Sequence, residues 1–307
     1  MSMKLGIGII SAGKVGAVLG AALRRAGHTI TGVYARSEES TERAAALLPG
    51  VEILEVEEIV RRSELVLIAI PDREIAPLVA GLAKLTAWQT GQLVIHTAGS
   101  LGADVLAPAA EQGALTLAIH PAMTFTGTSL DLDRLSACPF AVSGPATILP
   151  VAEALVAEMG GVPVRMRDEA RPLYHAALAH GSNHLVTLVA QSMRMLEEAG
   201  IEEPGQFLRP LLEASLDGAL RSGDALITGP VQRGDAGTCA AHVGLLEGEN
   251  ARSYRALALA TTERAEARRV ISAGQAKELR AVLSDHPVTP GKDGKDQAES
   301  QRSDGRQ

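Results

Sequence analysis

A chain of 307 residues, 46% of them hydrophobic, is long enough for two domains of ordinary size, and an aromatic content of 2% demands a core of Ala, Leu, Val and Ile. A net charge of −7 excludes a nucleic-acid platform, which needs a basic patch with stacking aromatics. Two cysteines, Cys138 and Cys239, make neither a disulfide framework nor a metal-ligand set, so no metal is expected and the compartment is expected to be the reducing cytoplasm, with no secretion leader and no membrane span.

The first element is carried by "KLGIGIISAGKVGAVLG", residues 4–20. Leu5 to Ile10 is the only apolar run available for a strand, so Gly6 and Gly8 fall inside it. The working register of a degenerate G-x-G-x-x-G is then Ser11, Gly13 and Gly16. Gly13 lets the backbone approach a pyrophosphate, Gly16 lets the helix pack on the strand, and the helix start at Lys14 and Val15 supplies amides. Ser11 is acceptable at the first position provided its φ stays negative. After the second apolar run, "TITGVY", an acidic residue for the ribose hydroxyls of NAD is missing. Arg36 and Ser37 stand there instead and suit the 2′-phosphate of NADP(H).

Further apolar runs, "LVLIAI", "LVIHTA", "LTLAIH", "PFAVSG" and "VPVRM", alternate with helical patterns. Residues 1–166 are therefore expected to form a doubly wound, Rossmann-like parallel sheet, an α/β domain that binds its ligands beyond the carboxyl ends of the strands. Those ends carry Pro71 and Asp72, then His96, Thr97 and Ser100, then His120 with Met123 and Thr124. Pro71 and Thr97 are expected at the cofactor and Ser100 at the substrate. Asp72 reads as a helix N-cap, His96 as either a satisfied strand-end histidine or a site residue, and His120 as a proton-transfer group.

After Asp168 the strand signals stop. "DEARPLYHAALAHGSNHLVTLVAQSMRMLEEAG" predicts one long helix with Asp168 as N-cap, Pro172 in the first turn and Gly200 as C-cap. It opens an all-helical C-terminal domain over residues 167–284, followed by a disordered tail over 285–307. Within the helix His180, His184, Thr187 and Gln191 recur at helical spacing beside Asn183, a stripe that suggests a buried polar site or a tight helix contact. Later, "ITGPVQRGDAGT" places Arg233 in a turn before Asp235, an expected N-cap. Arg233 suits a substrate carboxylate.

The segments "SAGKVG", "YARS", "IPD", "IHPAMTF", "YHAALAHGSNHLV" and "TGPVQRGD" resemble a family with an N-terminal Rossmann-like domain and a C-terminal helical domain of unknown function, within the 6-phosphogluconate-dehydrogenase-like reductases. The resemblance implies a helical domain that supplies substrate residues and a homodimer interface. It also implies an activity like that of the alternative ketopantoate reductases, which reduce a 2-keto acid, a small-molecule carboxylate, with NADPH. Where the wider class carries a lysine four residues before the asparagine, this chain has Ala179. The proton is then expected from His120 or His180, acting as an imidazolium of pKa near about 7, with Asn183 polarising the carbonyl and Arg233, His184 and Ser100 holding the substrate. Oxidation like that of the prephenate and arogenate dehydrogenases, and an NADP-binding sensor without turnover, are the alternatives.

Overall fold

The computed structural model describes residues 4–284, and each apolar run expected as a strand is one. In chain order the first elements are β1 (Gly6–Ile10), α1 (Lys14–Arg25), β2 (Thr29–Tyr34), α2 (Glu38–Leu47), α3 (Val56–Arg62), β3 (Leu65–Ile68) and α4 (Asp72–Lys84). Then come β4 (Leu93–His96), α5 (Ala107–Ala110), β5 (Leu115–Pro121), α6 (Leu130–Arg134), β6 (Pro139–Ser143), α7 (Leu149–Glu158) and β7 (Val162–Arg165). The strands form one sheet in the order β2-β1-β3-β4-β5-β6-β7.

Every neighbouring pair is parallel except β5 and β6, which run antiparallel with His120 opposite Ala141. A parallel return needs a full crossover helix, whereas only the five-residue α6 lies between these two strands, and the Ala122 amide already bonds the Pro139 carbonyl. This pair departs from the fully parallel sheet expected of the sequence.

Alternation along the strands divides the side chains between two cores. Ile7, Ile9, Leu65, Leu67, Leu93, Ile95, Leu117 and Ile119 pack with α1 and α7 on one face. Ile10, Val66, Ile68 and Val94 pack with α3, α4 and α5 on the other. Strands buried on both faces leave only the sheet edges for polar chemistry.

Past β7, a 3₁₀ turn at Asp168–Ala170 leads into α8 (Arg171–Leu178), a π turn (Ala179–Asn183) and α9 (His184–Glu198). The expected single helix is thus broken in register, and Asp168 does not cap it: Ala170 is the N-cap of α8, and the Asp168 carboxylate accepts from the Ala103 amide, 3.0 Å away. Gly200 follows α9 with φ +89°. The remaining helices are α10 (Pro204–Ser222), α11 (Ala236–Leu245), α12 (Gly248–Ala267) and α13 (Ala273–Leu283), and Asp235 caps α11 as expected by accepting from the Thr238 amide.

The chain separates into two compact units between His184 and Leu185, so α8 and the π turn group with the sheet although the sequence reading drew the border at 166. The second unit has its own core, built from Val231, Cys239, Ala258, Ala265, Ile271 and Leu279 among others. The expected tail lies outside the described residues. Among the described residues, no helix is long and apolar enough to cross a membrane.

Candidate active site

Ser11, Gly13, Arg36, Ser37 and Pro71 come together around a cleft of about 960 Å³ at the carboxyl edge of the sheet. Gly13 is the N-cap of α1 and contributes no capping side chain, and the first turn of α1 holds no acidic residue, so the helix start remains open to an anion. Gly16 is required by close approach: a Cβ there would lie 2.1 Å from the Ser11 carbonyl oxygen. Ser11 itself corrects the sequence reading. Its φ is +92°, in the region that favours glycine, and its hydroxyl accepts from the Gly13 amide at 3.2 Å.

Two further arginines that sequence spacing did not single out, Arg43 and Arg73, line the same cleft. Arg43 donates to the Ala12 carbonyl at 3.0 Å and pairs with Glu39, whereas Arg36 has no carboxylate partner among the described residues. Ser37 caps α2 in a reciprocal capping box with Ser40. Lys14, Val15 and Gly16 form the start of α1 behind the cleft, and Thr97, past β4, spends its amide on the Ile68 carbonyl and is not in the lining.

A second, smaller pocket of about 160 Å³ lies at the end of β5. His120, Met123, Thr124, His175, Ser182 and Asn183 are among the residues that line it, so the structure brings His120 and Asn183 together. His120 Nδ1 is 2.8 Å from the Tyr174 hydroxyl, with the two rings edge to face at 5.5 Å. His175 stands edge-on at 6.3 Å. Gly99 closes one side, where a Cβ would lie 2.9 Å from His120 Nε2 and 2.6 Å from His175 Cδ2.

Burial, then the positive charge of Arg171, pushes the His120 imidazole down to about 4. The sequence expectation of an imidazolium acid at His120 is therefore corrected: this ring is neutral at physiological pH. Burial likewise pushes the Tyr174 hydroxyl up, so it stays protonated.

The loop after β5 connects this pocket to the larger cleft. Asp131 is fully buried and accepts from the amides of Thr126 and Gly127, both at 2.8 Å, and from the Thr126 hydroxyl at 3.0 Å. Burial alone would raise its carboxyl, but these bonds outweigh burial and hold it below the usual carboxylate range. Gly127 rests against Lys14 and Arg43, within 3 Å of where its Cβ would stand.

Other expected site residues are placed differently. His96 is fully buried, with Nε2 2.9 Å from the Gly102 carbonyl and Nδ1 accepting from the Ala98 amide, so it is a satisfied strand-end histidine, and burial pushes it down to about 4. Asp72 is the first residue of α4, not its N-cap, which is Pro71, and its carboxylate accepts from the Ser100 hydroxyl at 2.6 Å. His180 and His184 face each other, Nδ1 to Nδ1 at 3.1 Å, and are exposed, as is Thr187, while Gln191 is buried and bonds Ser253. The expected buried stripe is therefore exposed over His180, His184 and Thr187 and buried only at Gln191. Arg233 is exposed on the turn before α11 in the second unit.

The missed residues Arg171, Tyr174, His175 and Leu178 follow i, i+3, i+4, i+7 spacing, which is the signal that could have found them.

Residues 1–121 match the family model of a Rossmann-like domain, and residues 138–261 match that of a domain of unknown function, DUF2520. No curated protein matches the chain. Among solved structures, a candidate NADP oxidoreductase from Bacteroides fragilis is 21% identical, with 85% of this chain and 98% of that one covered at a TM-score of 0.70. A Thermotoga maritima protein is also 21% identical, over 86% and 99% of the two chains, at 0.62. An imine reductase from a Pseudomonas species is 18% identical, over 91% and 93%, at 0.57. At these identities the likeness is one of fold. The Rossmann-like match thus spans β1 to β5, and the DUF2520 match runs from β6 into α12.

Proposed function

We propose that the protein is an NADPH-dependent reductase of a small 2-keto acid, with ketopantoate as the first compound to test. The observation that carries this reading is the pairing of His120 with Tyr174 in a small pocket shared with Asn183, at the same sheet edge as the open start of α1.

The residues fit a nicotinamide dinucleotide. The open start of α1 at Lys14 and Val15 suits a pyrophosphate, and Arg36, with Arg73 in the same cleft, suits a 2′-phosphate. When bound, NADPH supplies the hydride that reduces the carbonyl carbon. The chain's own groups manage the oxygen. With the Tyr174 hydroxyl donating to His120 Nδ1, the neutral ring carries its proton on Nε2 and can donate it to the substrate oxygen. Asn183 supplies an amide N–H to the same oxygen. As His120 Nε2 gives up its proton, Tyr174 passes its own to Nδ1 and regains one from solvent, so the acid role does not require an imidazolium. His184, in the same unit as the pocket, is proposed to bind the carboxylate, and His184→Ala is expected to raise KM with kcat little changed.

The names of two fold relatives, a candidate NADP oxidoreductase and an imine reductase, agree with oxidoreductase chemistry. The test is NADPH oxidation over a panel of 2-keto acids, with NADH in parallel and Arg36→Ala as the cofactor control. A preference for NADPH that collapses in Arg36→Ala supports the assignment. Equal use of NADH by both proteins removes the NADP part of it.

A further inference from the structure

Behind the His120 pocket lies a cation that the proposed reaction leaves unexplained. Arg171 is fully buried. Its Nε donates to Ser143 Oγ at 2.7 Å, Nη1 to the Ala98 carbonyl at 3.2 Å, and Nη2 to the carbonyls of Ala118 and Ala141 at 3.0 and 3.1 Å. All four acceptors are neutral. The Asp168 carboxylate comes only to 3.8 Å from Nε, and the oxygen at that distance has no hydrogen-bond partner while the other is held by the Ala103 amide. A guanidinium buried this way carries a heavy desolvation penalty that an ion pair stretched to 3.8 Å only partly offsets, and neutral oxygens alone do not require a full charge.

The charge is aimed by the backbone it holds. Ala141 is the cross-strand partner of His120, and Ala98 immediately precedes Gly99, where a Cβ would lie 2.9 Å from His120 Nε2. Of the charges acting on His120, Arg171 is the strongest; Asp72 opposes it more weakly, and His175 and His96 act in the same direction as Arg171. None of the side chains lining the pocket is acidic. A positive potential in a partly dehydrated pocket stabilises charge that develops on an oxygen and raises the energy of a bound cation.

We propose that Arg171 is a positioning residue for charge, which makes the His120 pocket select anionic ligands, a carboxylate or the oxyanion of a carbonyl under reduction, over cationic iminium ligands. The proposal rests on the reductase reading for placing the reacting oxygen at His120. It sets this pocket apart from one built to reduce a protonated imine.

The test is calorimetric binding of oxamate, an anion, and of protonated pyrrolidine, a cation, to the full chain with and without NADP⁺. Oxamate is expected to bind and pyrrolidinium not to. Arg171→Met should weaken oxamate about tenfold and Arg171→Lys should restore most of it. Asp168→Asn, which leaves an oxygen for the Ala103 amide, should tighten oxamate, a change of opposite sign that a merely structural role for Arg171 does not produce and that remains measurable if Arg171→Met fails to fold. Pyrrolidinium binding as tightly as oxamate, or oxamate affinity unmoved by Asp168→Asn, overturns the proposal. Oxamate binding that follows these charges without NADPH oxidation by any 2-keto acid would retire the reductase reading alone. Equal reduction of 2-keto acids and a cyclic imine would retire the selectivity alone.

Discussion

His120 is useful to the proposed chemistry because it is neutral, and its neutrality is set by burial and by Arg171. His120→Ala and Tyr174→Phe are each expected to lower kcat about 100-fold while NADPH affinity stays near that of the parent protein, as measured by fluorescence titration beside steady-state kinetics. The same burial has a consequence for stability. His96 and His120 have folded pKa values of about 4, below the ordinary histidine value, so the unfolded chain takes up protons first. Their contribution to stability is complete above the unfolded pKa and is lost as pH falls from there through about 4. Urea midpoints measured across this window should fall with pH, and His96→Gln should flatten the decline. Ser11 is a residue-scale test of the loop before α1: a β-branched Ser11→Val at φ +92° is expected to cost about 1–3 kcal/mol in chemical denaturation. The positive φ was hidden from sequence reading because a serine and a glycine there leave the same small-residue pattern. The depressed His120 was hidden because its main causes, burial and a guanidinium 51 positions away in sequence, are tertiary.

At the scale of elements, the seven strands were legible because each is a short apolar run bounded by turn residues, and the start of α1 was legible because only Leu5 to Ile10 could be the strand before it. The direction of β6 was not, since periodicity reports which face a side chain takes and not which way its strand runs. The π turn at Ala179–Asn183 was also out of reach, since periodicity does not mark one extra residue in a turn, whereas the Arg171, Tyr174, His175 spacing before it is regular. The loop that links the two pockets depends on one buried carboxylate. Asp131→Ala removes the acceptor for two amides and a hydroxyl and is expected to cost about 1–3 kcal/mol, with hydrogen exchange accelerating first at Thr126 and Gly127. Unchanged exchange at those two amides would remove Asp131 from the account.

For the whole molecule, the second unit leaves large apolar side chains uncovered: Phe207, Leu211, Leu216 and Leu220 of α10 and Leu245 of α11 are all more than half exposed. Faces of this kind mark association surfaces, and light scattering is expected to give a mass twice that of the chain, reverting toward the monomer in Leu211→Glu/Leu220→Glu. A monomeric parent protein would contradict that expectation without touching the chemistry. The central claim is tested most directly by NADPH oxidation with ketopantoate and related 2-keto acids, comparing the parent protein with His120→Ala. Saturable turnover in the parent and its near loss in the variant, with cofactor binding intact in both, is the predicted result; tight NADPH binding with no turnover of any 2-keto acid would contradict it.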